Sequence, residues 1–402
     1  MGSRGDVQPM LALALALRAR GHDAVVNAPP DFESWSREIG VPFISSGRSA
    51  QEVLTEHAAD MGAYPVRLLR LIKAIIAEEV PVWFERMIEA ARGCDMIVTA
   101  NQFAAHSVAE KLGIPCVAVM YSPTMLRSAY HPPLVARAQE MPRWVNALRW
   151  KLSNAVLHRM LAAPLDSARA KLALPGVKSV AKHLFEERPV LLACDPVVAP
   201  APPDWSRFKV TTTGPWFYDD PAPLDAEVAA FLDAGSPPVY VGFGSMVTDD
   251  AARMTRAILE GAGTGGRRVL LSKGWAGIGG GNLPASVKVV QGPMPHAKLF
   301  PRLAAVVHHG GAGTTAAALR AGAPQVIVPH ILDQFYYAHR LCKLGIAPAG
   351  IPVRKLTAQR LHRAIDAALE LPPDARLQAV ERLREGAGIR RAVEILEPTL
   401  AA

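Results

Sequence analysis

Ala305-Val306-Val307-His308-His309-Gly310-Gly311-Ala312-Gly313-Thr314-Thr315 is the stretch that decides how this chain is read. An apolar run of strand character enters two histidines, then two glycines, then small residues that open a helix. Glycines let backbone N–H groups approach an anion, and a helix start adds the positive end of its dipole. The stretch reads as a phosphate cradle, with tight strand–helix packing as the competing account of the glycines alone. The histidines favour the cradle, because a polar ring at the mouth of such a turn can donate to a diphosphate oxygen.

Downstream, the strand candidate Gln325 to Val328 leads into Pro329-His330-Ile331-Leu332-Asp333-Gln334. Asp333 and Gln334 are therefore expected beside the cradle, at the carboxyl edge of a parallel sheet, where they suit vicinal sugar hydroxyls. A helix N-cap by Asp333 is compatible with that role. Gly311 to Ala316 also fits GxGxxA, with Asp333 22 residues past Gly311, the outline of a dinucleotide fingerprint and hence of an NAD-dependent oxidoreductase. Against it, Asp333 follows Pro329 in a loop, and the motif comes late in the chain.

Upstream, apolar runs of strand length alternate with helix-length amphipathic stretches, which calls for parallel strands joined by helices. Strand candidates are Ala24 to Asn27, Met96 to Thr99, Cys116 to Met120 and Val190 to Ala193, then Val239 to Phe243, Arg268 to Ser272, Val287 to Val290, Ala305 to His308 and Gln325 to Val328. The expected organisation is an acceptor-binding domain over 1–195, a proline-rich linker over 196–225, a nucleotide-sugar domain over 226–380 and a terminal helix over 381–402. Gly386 and Gly388 are expected to interrupt the last helical stretch.

At the amino end, Gly2-Ser3-Arg4-Gly5-Asp6 forms a second glycine loop ahead of the helical run from Met10. Asp6 is either a helix cap or a carboxylate aimed into the cleft as general base, and the residues alone do not separate the two. No strand precedes this loop, so the first sheet is expected to lack its first strand, or the start codon to lie upstream.

Bulk properties narrow the field. The 402 residues favour two domains; 50% are hydrophobic and 20% charged, a globular balance. The net charge of +8 is dispersed without an Arg/Lys run carrying aromatics, so no nucleic-acid partner is expected. Cys94, Cys116, Cys194 and Cys342 stand apart and read as small core residues rather than zinc ligands or disulfides. Met10 to Leu17 imitates a signal sequence, yet Arg18 and Arg20 follow, so it reads as a buried helix of a cytoplasmic protein. No apolar run approaches the roughly 20 residues of a membrane span, so any membrane contact is peripheral. Asp219-Asp220 and Asp249-Asp250 lack the spacing of a metal-binding DxD, so no metal and no cofactor are expected.

GSRGDVQP (2–9), PPVYVGFGSM (237–246), GWAGIGG (274–280), PHAKLFPRLAAVVHHGGAGTTAAALRAG (295–322) and DQF (333–335) together resemble glycosyltransferase family 1. Within it the likeness is to sterol glucosyltransferases, with kinship to the glycopeptide-antibiotic glycosyltransferases. The stretch 121–205, with YSPTML, HPP and APPDW, is also similar to the rhamnolipid rhamnosyltransferase chain. The resemblance implies an α/β GT-B fold, two Rossmann-like doubly wound domains facing across a cleft, with the last helix returning to the first domain.

It further implies an inverting, metal-independent transfer of a hexose, glucose, from a UDP-sugar to a hydroxyl of an apolar small-molecule acceptor. His308, Gly310, Gly311, Ala312, Gly313 and Thr314 would hold the diphosphate, with Ser245 also on the phosphates, Asp333 and Gln334 the sugar, and Ser3 and Trp275 other parts of the donor. Asp6 would be the base. Family members in plants carry a partner acid after a middle strand; here that stretch is Val98-Thr99-Ala100-Asn101, so a charge relay is not supported. Tyr121, Met125 and Tyr130 are the candidates for acceptor contact, and His106 is the alternative base. A nucleotide-sugar epimerase or a noncatalytic nucleotide-sugar-binding relative on the same fold remains the alternative.

Overall fold

A computed structural model describes residues 2–56, 65–100, 102–248 and 250–400. Asn101 and Asp249, which entered the reading above, lie outside the described residues.

Every strand pairing is parallel, as the buried, β-branched runs require. The first half holds β1 (Val26–Ala28) paired with β2 (Phe43–Ser45), and a separate sheet of β3 (Ile97–Thr99), β4 (Cys116–Met120), β5 (Val190–Leu192) and β6 (Val210–Thr212) in that order. Its longer helices are α1 (Arg4–Ala19), α2 (Pro65–Ala91), α3 (Ala105–Leu112) and α4 (Arg143–Lys171). The run Met10 to Leu17 lies within α1, which buries Leu11 and Leu13.

The second half is a five-stranded sheet of β7 (Val239–Gly242), β8 (Val269–Ser272), β9 (Val287–Val290), β10 (Ala305–His308) and β11 (Gln325–Ile327), in the order β11-β10-β7-β8-β9. Its longer helices are α5 (Ala226–Asp233), α6 (Ala251–Ala262), α7 (Ala312–Arg320), α8 (Gln334–Lys343), α9 (Ala358–Glu370) and α10 (Asp374–Leu383). The winding reverses between β7 and β10, and in an open parallel sheet the crevice beyond the carboxyl ends at such a point is where ligands bind.

All nine strand candidates appear, within a residue or two at their ends. Two strands were not anticipated. β2 is half-buried along its length, and β6 falls inside 196–225, where the prolines suggested only a linker; it pairs with β5 through Val190–Val210. The terminal helix α11 (Gly388–Leu400) returns to the first half, where Ala392, Val393 and Leu396 pack with Leu13 of α1. Arg20 and His22 close on Glu397 from the same side. A Cβ on Gly388 would lie 2.3 Å from the oxygen of Pro215, so the approach of this helix requires glycine. Of the cysteines, Cys116 and Cys194 are buried as expected, whereas Cys342 is exposed and Cys94 half-buried.

Candidate functional site

Three loops meet at the reversal point of the second sheet. Gly244, after β7, has φ +59°, and a Cβ there would meet the His309 ring at 3.3 Å. Gly274, after β8, has φ +51° and packs so closely on the Gly244 carbonyl that a Cβ would come within 2.6 Å of it. Trp275 N–H donates to the same carbonyl at 3.0 Å. Ser245 and Trp275 are thereby brought, both half-buried, to the rim beside the turn after β10.

In that turn Gly310 has φ +91° and sits against Ile327 and the backbone of Gln334. Gly311 is the N-cap of α7, so the amides of Ala312, Gly313 and Thr314 occupy the first turn, where intrahelical carbonyls are lacking. The glycine turn and the helix start expected from the sequence are both present, and Gly313 at the lip is exposed.

The two histidines divide their work differently from the expectation. His308 is fully buried. Its Nδ1 accepts from Gly310 N–H at 3.1 Å, which leaves Nε2 to donate to Gln325 Oε1 at 3.0 Å. Both ring nitrogens are spent on the fold, so His308 holds the turn rather than facing a ligand. His309 is the ring that lines the turn, between Gly244 and Gly311, with its buried Nδ1 unpartnered. Burial, then the neighbouring His308, His330 and His296, push His309 down to about 3, so it is a neutral donor or acceptor near pH 7.

Gln334 also departs from expectation. Its Oε1 accepts from His330 N–H at 2.7 Å and Ile331 N–H at 3.0 Å, and the side chain is buried. It ties down the β11–α8 loop, in which Leu332 is held at φ +54°, a backbone conformation uncommon outside glycine. Asp333 occupies the N-cap position of α8 without making a side-chain cap bond. Its carboxyl is pushed up to about 7, by burial first and then by the charge of Asp6.

Asp6 comes from the opposite wall. It stands in the first turn of α1, where its Oδ2 accepts from Ser3 N–H at 2.8 Å and Ser3 Oγ–H at 3.0 Å. Ser3, expected at the donor, therefore orients Asp6 in this structure. The helix-cap account of Asp6 is physically correct as far as it goes, since an N3 acid accepting from the N-cap N–H is half of a capping box. The same placement brings its charge within reach of Asp333.

Tyr121 ties the walls together. Its hydroxyl donates to the Asp6 backbone oxygen at 3.3 Å, and its own backbone oxygen accepts from Tyr337 Oη of α8. Sequence reasoning missed Tyr337, although its position one turn after Asp333 places it on the same helix face. Met125 packs into the core cluster that contains Tyr336 and Tyr337, and Tyr130 is exposed with the Arg143 guanidinium over its ring at 4.2 Å. Of the three acceptor candidates, only Tyr121 touches Asp6. His106 is buried under β3 and β4 with its ring 6.0 Å from His183, and it plays no part in the cleft.

Comparison with known proteins bears on this arrangement. Residues 1–131 match the glycosyltransferase family 28 N-terminal domain, and residues 272–393 match the C-terminal domain of erythromycin biosynthesis protein CIII-like proteins. The chain is 41% identical to glycosyltransferase GtfE of Amycolatopsis orientalis over 94% of its own length and 90% of that protein's. It is 38% identical to the vancomycin aglycone glucosyltransferase of the same organism, over 94% and 91%. Against sterol 3-beta-glucosyltransferase UGT80B1 of Arabidopsis thaliana the identity is 32%, over 95% of this chain and 63% of the other. Among solved structures, the glycotransferase of kitacinnamycin superposes with a TM-score of 0.73 at 20% identity, covering 99% of this chain and 96% of that one, a likeness of fold.

Proposed function

The chain belongs to the GT-B glycosyltransferases, and from that premise we propose that it moves glucose from UDP-glucose to a hydroxyl of an apolar acceptor, with inversion and without metal. The observation that carries this reading is that Tyr121, bonded to the Asp6 backbone on one side and to Tyr337 of α8 on the other, holds the Asp6 loop against the helix that starts at Asp333. One wall offers a carboxylate for the acceptor proton. The other offers a carboxyl for the sugar hydroxyls and amides for the diphosphate.

In the reaction the acceptor hydroxyl gives its proton to Asp6 as its oxygen bonds to the anomeric carbon, on the face opposite the leaving group. The bond from that carbon to the phosphate oxygen breaks, and its electron pair leaves on the diphosphate. The growing charge is met by the amides of Ala312 to Thr314 and by His309, a preorganised set that replaces a divalent ion. Ser245 and Trp275 complete the donor wall, while His308 and Gln334 hold its loops in place. Binding both substrates across one cleft adds proximity, worth up to ~7–11 kcal/mol in well-oriented cases.

The relatives named for a vancomycin aglycone and for sterols support an acceptor among natural-product aglycones or sterols. Ile331 and Leu332, exposed next to Asp333, supply apolar surface at the mouth. A lipid-like acceptor also fits a peripheral membrane contact through α4. Trp144, Leu148 and Leu152 recur every four residues on one face of that helix and are 71%, 59% and 66% exposed. Arg143, Arg149, Lys151 and Arg159 accompany them, with no acid on the helix before Asp166. Apolar bulk beside basic side chains matches an anionic bilayer surface. Among the described residues no helix is long and apolar enough to cross a membrane.

The test is mass spectrometry of reactions offering UDP-glucose or dTDP-glucose to a panel of glycopeptide aglycones, sterols and polyphenols. The reading expects a β-linked glucoside of at least one acceptor, formed faster from the uridine donor. Recovery of an epimerised nucleotide sugar, or no turnover of any acceptor, contradicts it.

A further inference from the structure

Helix α8 starts in the second half of the molecule and is packed into the first. Asp333 stands at its amino end, and a Cβ on Gly350 would lie 2.8 Å from the Ala338 side chain, so the helix fits closely against its own half. On its other side Tyr336, Tyr337, Ala338 and Leu341 share one core with Met120, Leu192 and Cys194. Arg340 adds bonds to the first half, donating to the backbone oxygens of Val198 and Val197 at 2.7 and 2.9 Å.

Tyr337 meets the first half where two strands end. β4 and β5 pair through Met120 and Leu192, and Ala193 N–H donates to the Met120 oxygen at 2.9 Å. Tyr121 and Cys194 stand just beyond the carboxyl ends of those strands. The Tyr337 hydroxyl reaches both, donating to the Tyr121 backbone oxygen and lying 3.6 Å from Cys194 Sγ. A buried phenol needs a partner for its hydroxyl, and this one is spent on the residue that holds Asp6. Tyr121 carries the link onward, its own hydroxyl donating to the Asp6 backbone oxygen at 3.3 Å. In the other direction Tyr337 N–H donates to the Asp333 oxygen at 3.0 Å. Two hydroxyls and one helical turn therefore join the backbone of Asp6 to that of Asp333.

Apolar contacts in the shared core are non-directional and permit a small slide of one half on the other. A hydroxyl donating to a backbone oxygen resists it, because hydrogen bonds weaken steeply once length and angle depart from their optimum. A proton acceptor has to stand within about 2.6–3.2 Å of the hydroxyl it serves. A misplacement of about 1 Å can cost up to ~10² in rate.

We infer that Tyr337 is a positioning residue for the transfer: acting through Tyr121, its hydroxyl fixes where Asp6 stands relative to Asp333. This role rests on Asp6 being the base, as proposed above, and assigns the setting of that base to a side chain of the opposite half.

Tyr337→Phe deletes the hydroxyl while the ring, the core and the Arg340 bonds remain, and Tyr121→Phe deletes the second link. Each is made in the parent and in Asp6→Asn. Carboxyl-detected NMR gives the titration midpoint of Asp333, calorimetry gives UDP affinity, and UDP-glucose with vancomycin aglycone as probe acceptor gives kcat. Either phenylalanine variant is expected to lower the Asp333 midpoint by about half a pH unit more in the parent than in Asp6→Asn, where no charge is left to displace. The fall in kcat is expected to be about tenfold larger in the parent than in Asp6→Asn, with UDP affinity unchanged. A helix that is merely loosened changes both backgrounds alike, so equal midpoint shifts or equal falls in kcat overturn the inference, as do variants that change neither. Absence of transfer by the parent, or Asp6→Asn at the parental rate, contradicts the reading of the reaction instead, and the midpoints then decide whether Tyr337 sets the place of Asp6.

Discussion

Asp6, bonded through its backbone oxygen to Tyr121, and Asp333, at the start of the helix whose Tyr337 bonds Tyr121 in turn, come from opposite halves of the molecule, and the charge of Asp6 adds to burial in pushing the Asp333 carboxyl up to about 7 from an ordinary 3.8. The folded protein thus holds a proton on Asp333 that the unfolded chain releases. This group favours the fold most below pH 4, and the contribution is lost as pH rises through 7.

A carboxyl-detected NMR titration checks the coupling. Asp333 is expected to titrate near 7 in the parent and about one pH unit lower in Asp6→Asn, where the opposing charge is gone. Identical midpoints in the two proteins would show that the carboxylates do not sense each other.

The two histidines of the cradle separate by their partners. His308→Ala leaves Gly310 N–H and Gln325 Oε1 buried and unpaired, a loss of ~2–4 kcal/mol that lowers Tm and loosens the turn. His309→Ala removes a ring that lines the turn and is expected to weaken UDP binding about tenfold, ~1.4 kcal/mol, with Tm little changed. Calorimetry of both variants decides the matter. A stable His308→Ala protein beside a destabilised His309→Ala protein reverses the assignment.

Transfer is expected to survive chelation, because the cradle works through backbone amides and a neutral ring. Initial rates with and without EDTA measure this. Loss of most activity, restored by magnesium, would remove the metal-free mechanism.

Sedimentation with vesicles tests the exposed stripe of α4. Binding to phosphatidylglycerol vesicles, absent with phosphatidylcholine, is expected of the parent and should be all but lost in the Trp144→Ser/Leu148→Ser/Leu152→Ser variant, since each exposed apolar side chain contributes ~1.5–3 kcal/mol when buried. Equal binding by parent and variant would assign the stripe to something other than a bilayer.

Much of this architecture is legible in the sequence, since central parallel strands such as Val239–Gly242 and Ala305–His308 are continuous apolar runs flanked by glycine. β2 and β6 escape because short, half-buried strands carry no such run, and β6 is further hidden among prolines. The turn and helix start after β10 were legible from their glycines, but which of two adjacent histidines turns inward was not, because neighbouring residues at a strand end point to opposite sides. The signal was available one strand away. Gln325 begins a buried strand, and a fully buried amide needs a partner, which His308 provides. The meeting of Asp6 with Asp333 depends on how the halves pack, which no local pattern encodes.

The central claim is that Asp6 accepts the acceptor's proton, and the direct measurement is kcat and UDP affinity of Asp6→Asn beside the parent. Asparagine keeps the size and the oxygen that receives Ser3 N–H while giving up the proton acceptor. The account predicts a Tm no lower than the parent's and an unchanged UDP affinity, with kcat lower by ~10²–10⁴. An Asp6→Asn protein that transfers sugar at the parental rate would leave Asp6 as a helix cap only.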